Sequence, residues 1–111
     1  MSENLQTAQA AITAENQFTA WSRIDSHGRD AGASFTAALI DDSTTLSVTW
    51  VVQARRILAD GTKGNIIDIF TSSAASGGGV QTASLCGLWE VRVGVKTGGY
   101  SAGTGVASID W

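Results

Sequence analysis

The chain has no proline and only one cysteine, Cys86, in 111 residues. A lone thiol excludes an internal disulfide and any zinc site built from several cysteines, so Cys86 reads as a small, partly buried hydrophobe. The lack of proline, against a usual share of about 5%, has no physical account in the sequence. Charge is sparse as well, with 15% charged residues and a net charge of -3. The seven basic residues are scattered from Arg23 to Lys96 and form no stripe for a phosphate backbone to follow, so no nucleic acid partner is expected. No run approaches the roughly 18 to 20 apolar residues of a membrane span, and Met1-Ser2-Glu3-Asn4 has neither the basic start nor the apolar stretch of a secretory signal. The expectation is a product with no membrane partner, assembled where it is made.

What is present points to a folded β protein. A hydrophobic fraction of 43% is too high for intrinsic disorder, and a single domain of this length hides roughly two-thirds of the surface its unfolded chain exposes. The clearest pattern starts at Trp89, where Trp89, Val91, Val93 and Val95 alternate with Glu90, Arg92, Gly94 and Lys96. Period two is the signature of a strand with one buried face. After the turn-like residues 97–103, alternation resumes, with Val106, Ser108 and Asp110 set against Ala107, Ile109 and Trp111. The segment 89–111 therefore reads as a β-hairpin.

Further strands are expected over residues 17–24 and 33–40, over a long segment 44–58, over 65–71 behind the Asp60-Gly61 turn, and weakly over 80–86. Residues 72–79 are small and glycine-rich and read as a loop. Six or seven short strands without an interior helix imply an all-β fold, a single antiparallel β-sandwich or small barrel. The expected core is Phe35, Leu39, Val48, Trp50, Val52, Ile67, Ile69, Trp89, Val91, Val93 and Val95. Residues 1–16 differ: Leu5, Ala8 and Ile12 make a thin apolar stripe with no aromatic, so this stretch is expected to be an arm or short helix outside a sandwich of residues 17–111.

Catalytic motifs reduce to structural readings. Lys96-Thr97-Gly98 matches a strand element of serine β-lactamases, but the nucleophilic Ser-x-x-Lys is missing, and a strand end entering a glycine turn explains the tripeptide. Gly77-Gly78-Gly79 is followed by no lysine and no helix start, as a phosphate cradle would require. His27, the single histidine, lies between Asp25 and Asp30 in a hydrophilic turn, and Asp41-Asp42 lacks the spacing of a calcium loop. The sequence thus supports neither enzyme chemistry nor a cofactor or metal site.

Contact residues are the remaining candidates. Leu5 and Ile12 have little to bury on their own, Phe18 and Trp21 lie on opposite faces of a weakly alternating strand, and Trp111 must pack on something to stay ordered. These five are the expected partner-binding residues.

Three sequence runs carry a family resemblance: Phe18-Thr19-Ala20-Trp21 leading into a strand, Val52-Gln53-Ala54-Arg55-Arg56 before Asp60-Gly61, and the closing run from Arg92 through Lys96-Thr97-Gly98-Gly99-Tyr100 to Gly103. Together they resemble small β-sandwich virion proteins of tailed bacteriophages over roughly residues 17–111, departing from that pattern at Ala54, at Ala102 and over residues 72–86. The resemblance implies a structural role without catalysis: a capsid decoration or cement protein on the virion surface, assembled in the host cytoplasm. Its implied partners are the major capsid protein and further copies of itself. A tail or head-to-tail component is the alternative within virions. A carbohydrate-binding module, using Trp21 or Trp111 as a platform, is the alternative outside them.

Overall fold

Alternating apolar residues fold here into strands that cross repeatedly between two sheets. The computed structural model describes residues 6–28, 32–42, 45–72 and 78–111. Among these, the strands in chain order are β1 (Thr7–Ile12), β2 (Gln17–Phe18), β3 (Ser22–Asp25), β4 (Ala33–Asp41), β5 (Ser47–Val48), β6 (Trp50–Arg56), β7 (Ile67–Ser72), β8 (Gly78–Leu85), β9 (Leu88–Val95), β10 (Tyr100–Ala102) and β11 (Gly105–Asp110). Sheet I has the order β1-β11-β4-β8. Sheet II has the order β2-β9-β6-β7, with β3 also paired to β9, and β10 pairs with β5 as a small ribbon. All of these pairings are antiparallel.

The eight principal strands, with β2, β5 and β10 set aside, alternate between the sheets at every connection except β6 to β7. Two four-stranded sheets interleaved in this way make a jelly-roll sandwich. The β8-to-β9 corner takes only Cys86 and Gly87, with Gly87 at φ 102°. A Cβ there would come within 3.1 Å of the Arg56 guanidinium, so glycine meets both the backbone and the space requirement. Ser26, itself buried, holds the corner: its N–H donates to the Gly87 carbonyl and its hydroxyl accepts from the Gly87 N–H at 2.9 Å.

Between the sheets lies one apolar cluster that includes Ile12, Ile24, Phe35, Leu39, Leu46, Val48, Trp50, Val52, Val91, Val93, Val95 and Ile109. Trp50 meets Phe70 edge-on, with ring centroids 5.2 Å apart, a favoured aromatic geometry. Eight of the expected core residues are fully buried, while Ile69 and Trp89 pack against the cluster from partly exposed positions. Ile67 is a correction. It lies opposite Ala54 on the edge strand β7 and remains 46% exposed, because no further strand lies beyond β7 to shelter it.

Other expectations also change. Within the expected arm of residues 1–16, Thr7–Ile12 is instead a strand of the sandwich: it pairs with β11 from Thr7↔Asp110 to Ile12↔Gly105, and Ile12 is completely buried. The physical reason is backbone pairing, since β11 offers a free edge and β1 fills it. Leu5 lies outside the described residues. The segment 89–111 is not a hairpin either, because β9 belongs to sheet II and β11 to sheet I, with β10 pairing elsewhere between them. The long strand breaks at Thr49, whose N–H donates to the Gly99 carbonyl at 2.7 Å. Cys86, read as partly buried, is exposed at its corner.

Two stability predictions follow from this core. Trp50→Ala should cost about 3 to 5 kcal/mol and Ile12→Ala about 2 to 5 kcal/mol in urea denaturation. A chain starting at Gln17 should lose its cooperative thermal transition, since it lacks a whole strand of sheet I. An unchanged melting temperature for that truncation would show that β1 is dispensable.

Candidate interaction surfaces

The outer face of sheet II is closed by its own side chains. Between β2 and β3 the chain leaves the ladder for three residues, and buried Thr19 bridges the break: its N–H donates to the Val93 carbonyl at 2.9 Å, and its hydroxyl accepts from the Val93 N–H at 3.2 Å. This detour sets Trp21 over the sheet. The Arg55 guanidinium lies 4.2 Å from the Trp21 ring centre, and that of Arg92 lies 4.5 Å from it and 4.0 Å from the Phe18 ring. Phe18 fits because its neighbour across the ladder is Gly94, where any Cβ would collide with Gln17 and Phe18. Such cation–π contacts contribute about 0.5 to 2 kcal/mol each. Burial, with the nearby Arg55 charge, lowers the pKa of Arg92, yet a guanidinium so far above neutral stays charged.

Polar bonds complete this surface. Arg92 Nε donates to Gln53 Oε1 at 2.9 Å, Gln53 Nε2 to Asp68 Oδ1 at 2.9 Å, and Lys96 Nζ to Asp68 Oδ2 at 2.8 Å. Glu90 accepts from Arg55 at 2.8 Å and from Lys63 at 3.0 Å. Burial pushes the Glu90 carboxyl upward, but the hydrogen bonds and charges of Lys63 and Arg55 outweigh it and hold Glu90 below its ordinary value. Hydrogen bonds from Lys96 and Gln53 hold Asp68 low in the same way.

Sheet I presents the opposite chemistry. Reading across β1, β11, β4 and β8, its outer rows are Thr7-Asp110-Thr36-Thr82, Gln9-Ser108-Ala38-Val80 and Ala11-Val106-Ile40-Gly78. Asp110 is the one charged side chain in these rows, and it accepts a hydrogen bond from the Thr7 hydroxyl at 2.6 Å. The Thr36 and Thr82 hydroxyls meet at 3.3 Å, as do those of Ser34 and Ser84 at 3.0 Å. Ile40 and Val80 are 53% and 68% exposed, so this is a nearly neutral face with apolar side chains in water.

A third feature is a cleft of about 430 Å³ lined by Gln6, Arg23, Asp25, His27 and Trp111. Backbone bonds at 2.8 and 3.0 Å tie two of its lining residues, Gln6 and Trp111, together. The Asp25 carboxylate accepts from the His27 N–H at 2.8 Å, with the imidazole Nδ1 3.6 Å away. His27 has φ 51°, a left-handed conformation that histidine, asparagine and aspartate adopt more readily than other non-glycine residues.

Of the five expected contact residues, the four that are described are dispersed. Ile12 is core, Phe18 and Trp21 are capped by arginines, and Trp111 lines the cleft. The neutral face was missed, because its rows draw on four strands far apart in sequence, each reading separately as ordinary alternation. Lys96-Thr97-Gly98 forms the turn after β9, with Thr97 donating to Asn16 at 2.7 Å and the Gly98 N–H to Glu15 at 2.9 Å. Among the described residues no three His, Cys, Asp or Glu side chains are grouped to hold a metal ion, and no helix is long and apolar enough to cross a membrane.

No family model matches the chain, and no curated protein is similar to it in sequence. Among solved structures, the crystal structure of Yersinia pseudotuberculosis-derived mitogen (YPM) is similar, with a TM-score of 0.50, 14% identity, and coverage of 96% of this chain and 83% of that one. This likeness concerns the fold alone.

The surface of sheet II leads to two further predictions. Trp21→Ala should lower stability by about 1 to 3 kcal/mol, through lost burial and two lost cation contacts, measured by urea denaturation. Asp68 and Glu90 titrate lower folded than unfolded, so their contribution is present above the ordinary carboxylate range and is lost as pH falls through their lowered values. Acid denaturation of an Asp68→Asn, Glu90→Gln double variant should thus show lower stability near neutrality and a shallower decline toward acid than the parent chain.

Proposed function

We propose that this protein is a structural component of a tailed-bacteriophage virion: a head decoration or cement protein that bridges major capsid subunits on the capsid surface after assembly in the host cytoplasm. The observation that carries the reading is the outer face of sheet I, nearly uncharged, with Ile40 and Val80 exposed on it. Surface sheets of monomeric proteins usually carry charge against edge and face association. A face nearly free of it suits packing against a second copy, the two sheets lying about 10 Å apart as in any sandwich. The self-associated unit then offers several copies of its remaining surface to the capsid lattice. Several modest contacts raise the effective concentration of each further one, the logic of a clamp.

Jelly rolls serve in viral capsids and in lectins alike, so the fold supports the reading without deciding it. The sequence resemblance to phage virion proteins adds to it. A tail or head-to-tail ring would use the same face and differs only in where the particle carries it.

Two measurements test the proposal. Mass spectrometry of virions purified from a phage carrying this gene should find the protein at many copies per particle, and cryo-electron microscopy should place it on the head; absence from virions would refute the role. An Ile40→Asp, Val80→Asp double variant should keep its β circular dichroism and melting temperature, because both side chains are exposed, yet sediment as a smaller species than the parent and decorate heads poorly. Unchanged sedimentation and decoration would eliminate the sheet I face as the contact.

A further inference from the structure

The Trp111 cleft has a chemistry that assembly does not use. Among the described residues, Arg55, Arg56 and Arg92 each stack on an aromatic ring, whereas Arg23 makes no ion pair, hydrogen bond or ring contact. Arg23 is exposed and lines the cleft. Gln6 is similar, since its backbone is engaged by Trp111 while its side-chain amide bonds to nothing described. Two planar hydrogen-bonding groups with unused capacity therefore line the cleft together with Trp111, a partly exposed tryptophan that also packs against the core. Asp25 completes the set, its carboxylate oriented by the His27 N–H.

We propose that this cleft binds a pyranose ring of a glycan. A pyranose has an apolar C–H face that packs on an aromatic ring and a rim of adjacent hydroxyls, each both donor and acceptor. The indole of Trp111 supplies the apolar platform. The Asp25 carboxylate accepts from hydroxyls, the Arg23 guanidinium donates through a fixed fork, and the Gln6 amide does both. This mixture of donors and acceptors around one aromatic suits a polyhydroxylated neutral ring better than a bare anion, which the Asp25 charge would repel. The volume of about 430 Å³ falls within the range of small-molecule sites. Trp21, another partly exposed tryptophan near arginines, cannot act in this way, because two guanidinium groups already occupy its surroundings.

The test uses the isolated full chain and so is independent of virion assembly. The indole N–H resonance of Trp111, assigned with a Trp111→Phe variant, is followed by NMR during titration with neutral hexopyranosides, N-acetylhexosamines, uronic acids and inorganic phosphate. At least one sugar class should shift it saturably, and Arg23→Ala and Asp25→Asn should each weaken that binding by about tenfold or more. Arg23→Ala removes an exposed side chain without contacts and leaves the fold intact, so its loss of binding reads on the site. The proposal is overturned if no sugar moves the Trp111 resonance, if Arg23→Ala binds as the parent does, or if phosphate alone gives the same shift.

Discussion

Strand β9 is the constraint on which the rest of this sandwich depends. Val91, Val93 and Val95 are fully buried on its inner face, and its outer face is covered as well, Arg92 by two aromatic rings and Gly94 by the passing β2 backbone. It is paired along both edges, with β6 on one side and β2 and β3 on the other. A strand closed in four directions tolerates little freedom in its neighbours. Glycine at position 94 follows from the approach of Phe18, and the Thr19 hydroxyl is needed where the β2–β3 break would leave the Val93 N–H unpaired and buried.

The two outer faces divide the work. On sheet II almost every polar group is satisfied internally, through the Arg92-Gln53-Asp68-Lys96 chain and the Arg55-Glu90-Lys63 cluster. Such a network gains little from a partner, because each of its bonds would have to be replaced. Sheet I has the reverse property: its threonine and serine pairs are weakly polar, its apolar side chains face water, and burying it costs little desolvation. The proposed association through sheet I would leave sheet II as the outer surface, in keeping with this difference between the faces.

Much of the sandwich was legible in the chain, because half-buried strands write their burial as period two. The valines of β9, the Phe35-Leu39 face of β4 and the separation of Ala107 and Ile109 from Asp110 all read directly. Thr7–Ile12 was not legible as a strand, since alanine-rich residues at three- and four-residue spacing suit a helix or arm when no neighbour is known. The apparent hairpin after Trp89 failed for a related reason: alternation identifies strands but not the sheet to which each belongs.

The sequence by itself determined the class, an all-β sandwich without a disulfide, and most of its buried face, because these depend on composition and on neighbours a few residues away. Only the tertiary structure decided which surfaces are available. Phe18 and Trp21 are equally aromatic on paper, but Arg55 and Arg92 arrive from β6 and β9 to cap them. Arg23, Asp25, Gln6 and Trp111 lie at distant points along the chain, yet they share one cleft because β1 pairs with β11 and β3 ends beside them. Surface chemistry of this kind is set by long-range strand pairing, and pairing between distant strands leaves no periodic trace in the segments it joins.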